Sequence, residues 1–166
     1  MPDPVLHIAL LEPEIGPNAG SIGRLCLGVG ARLHLIHPLG FQTDEKAVRR
    51  AGLDYWKHVD VVEHADAAAF WGWAGQRPVH LFSARARRPY TAIPFARGDV
   101  LLFGRESVGL PPALLASHPS WCIPQRGPIR SLNLANAVSV VTYGALQRLD
   151  PALFVDPGPD APPLPA

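Results

Sequence analysis

The chain has 166 residues, a formal net charge of +1 and a hydrophobic fraction of 48%. This length fits a single globular domain, and the near-zero charge argues against a strong, non-specific nucleic-acid binder. No apolar run approaches the roughly 20 residues of a membrane span, and the N-terminus lacks the basic start and small-residue cleavage site of a signal peptide. We therefore expect a soluble, cytoplasmic protein with no membrane partner.

The spacing of cysteine and histidine residues does not suggest a metal or redox site. Cys26 and Cys122 are far apart and form no CxxC pattern, so we expect two reduced thiols. The seven histidines are scattered without the spacing of metal ligands, and we predict that no metal is bound. His34 and His80 fall within apolar runs and are expected on strand faces.

Apolar runs alternate with helical segments along the chain, which is typical of an α/β fold with a mainly parallel sheet flanked by helices. Several of these runs are almost continuously apolar, as expected for strands that are covered on both faces. The predicted strands are residues 5–11, 32–37, 59–64, 79–83, 99–104 and 121–124, of which 59–64 has the weakest pattern.

The first helix is predicted from NAGSIGRLCLGVG, with Asn18 as its N-cap and Gly30 as its end. Its apolar residues recur at i, i+3, i+4 and i+7, namely Ile22, Leu25, Cys26 and Val29. Arg24 lies off this stripe, near the carboxyl end of a strand. Further helices are predicted through DEKAVRRAG, which stops at Gly52, and through HADAAAFWGWAG.

The last helix, in RSLNLANAVSVVTYGALQRL, carries two apolar stripes. One consists of Leu134, Val138, Val141, Ala145 and Leu149, and the other of Ala137, Val140 and Gly144. A helix that is apolar on several faces is buried, and in so small a protein a second subunit can cover it. We predict one domain over residues 1–150, followed by a proline-rich tail, 151–166, that is expected to be disordered.

Several familiar motifs are incomplete in this sequence. GVGARL has Leu33 where a dinucleotide fingerprint needs its third glycine, and the chain has no GK[ST] of a P-loop. GRESVG has Arg105 where the nucleophile elbow of a serine hydrolase needs glycine.

Three segments remain as candidates for a binding site. They are EPEIGPNAGSIGRL (12–25), LLFGRESVGLP (101–111) and IPQRGPIRSLNLANAVSVV (123–141). Each lies at the carboxyl end of a predicted strand, which is where open α/β sheets bind their ligands.

Together these segments resemble the SPOUT class of RNA methyltransferases, specifically the SpoU branch of ribose 2′-O-methyltransferases. The motifs match in order: Asn18-x-x-Gly with Arg24, then FGRESVGLP, then IRSLNLANAVSV. EPEIGPNAGSIGRLC, HLIHPLGF and RRAGLDYW further resemble the compact branch that methylates the wobble nucleotide, position 34, of tRNA. The resemblance covers residues 5–149.

The resemblance implies a fold whose C-terminal part forms a deep trefoil knot, a feature otherwise almost absent from proteins. It also implies that S-adenosyl-L-methionine binds inside the knot, held largely by backbone groups of three loops. The cofactor-binding residues that it implies are Ser83, Ala84, Phe103, Gly104, Glu106, Ile123, Ser131 and Leu132. Gly104 would allow a close backbone approach, and ordinary turn geometry is the alternative for Gly104 and Gly109.

The resemblance also implies catalytic roles for Arg24 and Asn18. A guanidinium is almost always protonated, so we interpret Arg24 as a phosphate-anchored group that orients the ribose and stabilises the emerging oxyanion, not as a simple base. Asn18 would cap its helix and fix the Arg24 loop. Glu106 is either a surface carboxylate or an Arg-paired residue that orders its loop. Ser131 and Asn133 are expected to cap the last helix.

The substrate implied is the anticodon loop of tRNA, bound by a homodimer because the chain has no separate RNA-binding module. The RNA-binding residues proposed on this basis are Arg130, Asn133, Tyr143, Arg85, Arg87 and Arg88. Tyr143 either contacts exposed loop bases or is an amphipathic core tyrosine. Two other functions remain open: the same reaction at another tRNA or rRNA nucleotide, and an inactive, knotted RNA-binding protein.

Overall fold

Seven short strands form one sheet in the part of the chain that the structure, a computed structural model, describes, namely residues 3–50 and 53–156. The strands are β1 His7–Leu11, β2 Arg32–Ile36, β3 Val61–His64, β4 Val79–Phe82, β5 Arg88–Pro89, β6 Val100–Phe103 and β7 Ser120–Cys122. The helices are α1 Gly16–Val29, α2 Glu45–Arg50, α3 Ala67–Ala74, α4 Pro112–Ser117 and α5 Leu134–Leu149. Short 3-10 helices cover Asp54–His58, Tyr90–Ala92 and Pro151–Phe154.

The strand order is β3-β2-β1-β6-β4-β7-β5, and every pairing between neighbours is parallel. The prediction of a mainly parallel α/β sheet is therefore confirmed. Helices α1 and α5 contribute to one apolar core cluster, and α3 and α4 contribute to a second. All five residues of β1 are buried, which explains why it has a continuous apolar run and not an alternating one.

The N-cap of helix α1 lies three residues earlier than its sequence pattern predicts. Ile15 is the N-cap and makes no side-chain capping bond, so the prediction that Asn18 caps this helix is wrong. Pro17 lies in the first turn, where the missing N–H costs nothing and the fixed φ favours helix, so the helix extends back through it. Gly30 ends the helix with a φ of 69°, as predicted.

Helix α3 is shorter than predicted, and an aspartate before each of α2 and α3 accepts a hydrogen bond from a first-turn amide. Asp44 accepts a hydrogen bond from the Ala47 amide at 3.0 Å before α2, and the predicted stop at Gly52 lies outside the described residues. Asp66 caps α3 by accepting a bond from the Ala69 amide at 2.7 Å. The strand predicted over 59–64 is confirmed as β3, whereas α4 and β5 are too short to give a periodic signal.

Helix α5 buries its first predicted stripe at Val138, Val141 and Ala145. The second stripe is not buried throughout, because Val140 is 41% exposed. After α5, the first residues of the predicted disordered tail form the 3-10 helix Pro151–Phe154, and residues 157–166 lie outside the described chain.

Both cysteines are free, and burial raises the pKa of the Cys26 thiol to about 12. Within residues 3–50 and 53–156, histidine, cysteine and acidic side chains form no cluster of three that would suit a metal ion.

None of the helices in the described part of the chain combines the length and apolar character needed to cross a bilayer.

Three buried histidines form a hydrogen-bonded chain across β1, β2 and β3. Nδ1 of His7 lies 2.9 Å from Nε2 of His34, and Nδ1 of His34 lies 2.9 Å from Nε2 of His64. The ring of Trp73 lies 4.1 Å from that of His34, centroid to centroid. Burial lowers the pKa of His7 to about 4 and, together with the neighbouring histidines, that of His34 to about 2.

The strand positions predicted for His34 and His80 are confirmed, and His80 bonds Asp99 at 2.8 Å.

We predict that acid destabilises the protein through this histidine chain. Because the folded pKa values lie below 6.5, the unfolded state takes up protons first, and stability falls as the pH drops from about 6.5 towards the folded values. For His34 the loss is roughly 2–3 kcal/mol at about pH 4.5. Urea unfolding at several pH values measures this. His34→Gln should flatten the profile and His58→Gln, at an exposed position, should not; equal profiles for all three proteins would contradict the prediction.

Candidate functional site

A cavity of about 610 Å³ opens at the carboxyl ends of β4, β6 and β7. Its walls are the loops that follow these three strands, together with the first turns of α1 and α5. This volume falls in the range of small-molecule sites, which are concave and mostly apolar with a few polar groups. The predicted placement of a site at the carboxyl edge of the sheet is therefore matched by a cavity there.

The structure brings most of the predicted site residues together around this cavity. All eight residues predicted to bind a cofactor line it: Ser83, Ala84, Phe103, Gly104, Glu106, Ile123, Ser131 and Leu132. Four more residues from the catalytic and RNA-binding predictions also line it: Asn18, Arg85, Arg130 and Asn133. Arg24, Arg87, Arg88 and Tyr143 lie outside this lining.

Two stacked aromatic rings form part of the apolar wall of the cavity. Phe82 and Phe103 are register partners on β4 and β6, with ring centroids 4.7 Å apart and planes inclined by 13°. Trp121 on β7 also lines the cavity and is largely buried. Sequence reasoning missed Phe82 and Trp121, because strand ends become cavity walls only once β4, β6 and β7 are known to be neighbours.

The loop after β6 turns tightly between Arg105 and Gly109. A Cβ atom at Gly104 would lie 2.2 Å from the carbonyl carbon of Gly109, so only glycine fits there. Gly109 has a φ of 73°, and its amide donates to the Arg105 carbonyl at 2.9 Å. The close approach at Gly104 is thus made by the loop's own backbone, at Gly109 and Leu110.

Glu106 joins this loop to the turn between β1 and α1. Its carboxylate accepts hydrogen bonds from the amides of Glu14 at 2.8 Å and Ile15 at 3.1 Å, and from Nδ2 of Asn18 at 3.2 Å. The expected arginine partner is wrong for Glu106, since the neighbouring Arg105 pairs with Glu12 instead. The physical reason is that the amides of Glu14 and Ile15, immediately before α1, need an acceptor, and a carboxylate satisfies them.

Asn133 both caps α5 and connects it to α1. Its Oδ1 accepts from the Asn136 amide at 3.3 Å, and its Nδ2 donates to Oδ1 of Asn18 at 3.0 Å. The predicted cap by Asn133 is confirmed, whereas Ser131 lies before the cap and lines the cavity. Asn18 is buried and is held from both sides, by Glu106 and by Asn133.

Arg24 lies on a different face of α1 from Asn18. It is exposed, and its guanidinium carbon lies 5.5 Å from the centroid of the Tyr55 ring. The hydroxyl of Tyr55 donates to the Gly20 carbonyl at 3.0 Å, which fixes the ring beneath the arginine. Arg24 is therefore available to a ligand outside the cavity.

The remaining candidates for RNA contact are exposed. Arg85, Arg87 and Arg88 follow β4, and the guanidinium of Arg88 lies 5.9 Å from the Trp121 ring centroid. Tyr143 is 48% exposed on α5 and makes an edge contact with Phe154 at 6.3 Å, so the alternative of a core tyrosine is wrong.

Comparison with known proteins agrees with this geometry. The SpoU rRNA Methylase family model matches residues 5–143. The tRNA (cytidine(34)-2'-O)-methyltransferase of Aeromonas hydrophila is 45% identical over 148 residues, which cover 87% of this chain and 95% of that protein.

Two solved structures are also similar. One, described as giving structural insights into the 2-OH methylation of C/U34 on tRNA, is 46% identical with a TM-score of 0.82 and covers 87% of this chain and 96% of its own. An AdoMet-bound rRNA methyltransferase from Sinorhizobium meliloti is 27% identical with a TM-score of 0.74, and the match covers 87% of this chain and 56% of that one. The chain therefore belongs to the SpoU rRNA methylase family.

Proposed function

We propose that the protein is an S-adenosyl-L-methionine-dependent methyltransferase that methylates the ribose 2′-oxygen of the wobble nucleotide, position 34, of tRNA. The observation that carries this proposal is the 45% identity, over nearly the whole length of the relative, to a tRNA (cytidine(34)-2'-O)-methyltransferase. The substrate nucleotide is cytidine or modified uridine, in keeping with the C/U34 named for the similar structure.

The cavity suits this cofactor. Its volume of about 610 Å³ accommodates a molecule of that size, and the stacked rings of Phe82 and Phe103 offer an apolar surface to an adenine. We propose that Ile123 and Leu132 pack against the cofactor, while Ser131 and the backbone of residues 83–84 and 103–106 hold its polar parts. The bound cofactor supplies an electrophilic methyl group.

The chain's own residues would position the ribose and stabilise charge. We propose that Arg24 anchors a phosphate and stabilises the developing negative charge on the 2′-oxygen, a type of stabilisation that contributes about 10²–10³ in rate. Its exposed position on α1 suits contact with RNA and not with the cofactor. Asn18 would hold α1 against the cavity through its bonds to Glu106 and Asn133.

The exposed arginines around the cavity support RNA binding. Arg85 and Arg130 line the cavity, and Arg87 and Arg88 extend the basic surface beside it, where a phosphate backbone finds bidentate partners. We propose that Tyr143 contacts an unstacked base of the anticodon loop. Because Asn133 already bonds Asn18 and Asn136, its contribution would be to shape the loop that presents Arg130.

The fold supports a knotted C-terminal part. β7 lies beyond β4 in the sheet, whereas α5 packs against α1 on the other side of β6. Residues 123–133 therefore pass along the carboxyl edge, where the loops after β4 and β6 also line the cavity. We propose that this passage threads the deep trefoil knot, within one domain over residues 1–150.

Exposed apolar side chains support a homodimer. Leu27 on α1, Val140 on α5 and Phe154 after it are each at least 40% exposed. Exposed apolar groups on packed neighbouring helices are typical of an interface. We propose that a second copy covers these apolar side chains, leaves Arg24 and Tyr143 accessible, and brings a second basic surface to the tRNA. A tRNA substrate and two free thiols support a cytoplasmic location.

We predict that the purified protein binds S-adenosyl-L-methionine and that tRNA from a deletion strain lacks the 2′-O-methyl group at position 34. Calorimetry measures the first, and mass spectrometry of tRNA nucleosides measures the second. No binding at millimolar cofactor would leave the inactive RNA-binding protein as the explanation. Retention of the methyl group at position 34, with loss at another tRNA or rRNA nucleotide, would favour the same reaction elsewhere.

We predict that Arg24→Ala retains cofactor binding but lowers turnover by about 10²–10³-fold, because it removes charge stabilisation from the reacting oxygen. Arg24→Lys keeps the positive charge but lacks the planar, bidentate guanidinium, so it should recover only part of the rate. Calorimetry and single-turnover methylation measure the two effects. Parallel loss of cofactor binding and turnover would show instead that Arg24 has a structural role.

We predict that light scattering gives the protein a mass of twice 17.9 kDa. Val140→Asp should shift it to the monomer, because the substitution places a charge in the proposed apolar interface. Ala113→Asp, at an exposed position on α4, provides the matched control and should remain dimeric. A wild-type mass of 17.9 kDa would contradict the homodimer.

A further inference from the structure

Two segments that lie more than 90 residues apart hold each other through reciprocal hydrogen bonds. The Glu106 carboxylate accepts from the amides of Glu14 and Ile15, as described above. In return, the Glu14 carboxylate accepts from the amide and the hydroxyl of Ser107, both at 2.8 Å. We call Glu14, Glu106 and Ser107 the carboxylate clasp.

The bonds between Glu14 and Ser107 in the carboxylate clasp are not needed to start α1. Glu106 satisfies the free amides before α1, which accounts for its position. The bonds from Ser107 to Glu14 satisfy no amide of α1, and they hold the cavity loop itself. The Ser107 carbonyl also accepts a bond from Arg130 at 3.3 Å, so the third loop of the cavity is joined to the same residue.

Glu14 is restrained on the side away from Ser107 as well. A Cβ atom at Gly40 would lie 2.4 Å from the Glu14 carbonyl oxygen, so the backbones of the two loops are in close contact. Ser107 lines the cavity, whereas Glu14 lies outside its lining. Ser107 therefore connects the cavity lining to Glu14, and α1 begins two residues after Glu14.

We propose that Glu14 is a positioning residue, which couples occupation of the cavity to the order of α1 and so to the placement of Arg24. Cofactor binding stabilises the loop of residues 104–109, and the carboxylate clasp passes this order to the helix that faces RNA. The inference rests on the proposed function and deepens it. Under this coupling, bound cofactor raises the affinity for RNA, and bound RNA raises the affinity for the cofactor by the same factor.

Hydrogen exchange measured by mass spectrometry on the purified protein tests the coupling directly. In the wild type, S-adenosyl-L-methionine should slow exchange both in residues 104–109 and in residues 14–20. In Glu14→Gln, which removes one of the two acceptor oxygens, slowing should remain in 104–109 and be reduced in 14–20, where the bonds to Glu106 persist. Glu63→Gln is the matched control, because this carboxylate also accepts two bonds, from His37 and Thr43, away from the cavity.

Kinetic measurements give a second readout. Glu14→Gln should lower the methylation rate by about tenfold while the cofactor dissociation constant stays within about twofold, a coupling of ordinary size. Ser107→Ala should act in the same direction, and Ser107→Thr, which keeps the hydroxyl donor, should restore the wild-type values.

The outcomes separate this inference from the proposed function. If the cofactor slows exchange in residues 104–109 and 14–20 of Glu14→Gln as much as in the wild type, the coupling is overturned and the proposed function stands. Equal loss of thermal stability, cofactor affinity and rate in Glu14→Gln would show a purely structural role and also overturn it. Failure of the wild type to bind the cofactor would overturn the proposed function and this inference together.

Discussion

The carboxylate of Glu106 makes the interaction on which the site depends. It satisfies two backbone amides at the start of α1, a helix that has no capping side chain of its own. It also holds Asn18, which in turn bonds Asn133 at the start of α5. The first turns of both helices and the loop after β6 are therefore joined by one side chain and its partners. Without this acceptor, the amides before α1 would need another partner or water.

The strand order makes this interaction possible. Because β6 lies between β1 and β4, its carboxyl end is next to the β1–α1 turn on one side and to the loop after β4 on the other. Parallel strands end at the same edge of the sheet, so the β1–α1 turn and the loops after β4 and β6 meet around one cavity. The same pairing stacks Phe82 on Phe103 and gives the cavity an apolar wall. The sheet topology thus accounts for both the polar and the apolar parts of the site.

The proposed site divides between a cofactor side and an RNA side. Residues of the three loops line the cavity, whereas Arg24 lies on another face of α1 above Tyr55. In the proposed reaction the two sides meet only when RNA is bound, which makes the rigidity of α1 important. The histidine chain of β1, β2 and β3 lies in the sheet interior with Trp73 and Phe70, and it contributes to stability instead of to this site.

Local sequence patterns predicted the fold class, six of the seven described strands and the two long helices, and the resemblance identified the family. These features depend on local apolar periodicity and on short motifs that keep their meaning in isolation. Three features became visible in the folded chain alone: Glu106 bonds the β1–α1 turn, Asn18 does not cap its helix, and Phe82 and Trp121 line the cavity. Each of these depends on strands that are neighbours in the sheet but distant in the chain, and no local pattern encodes which strands pair.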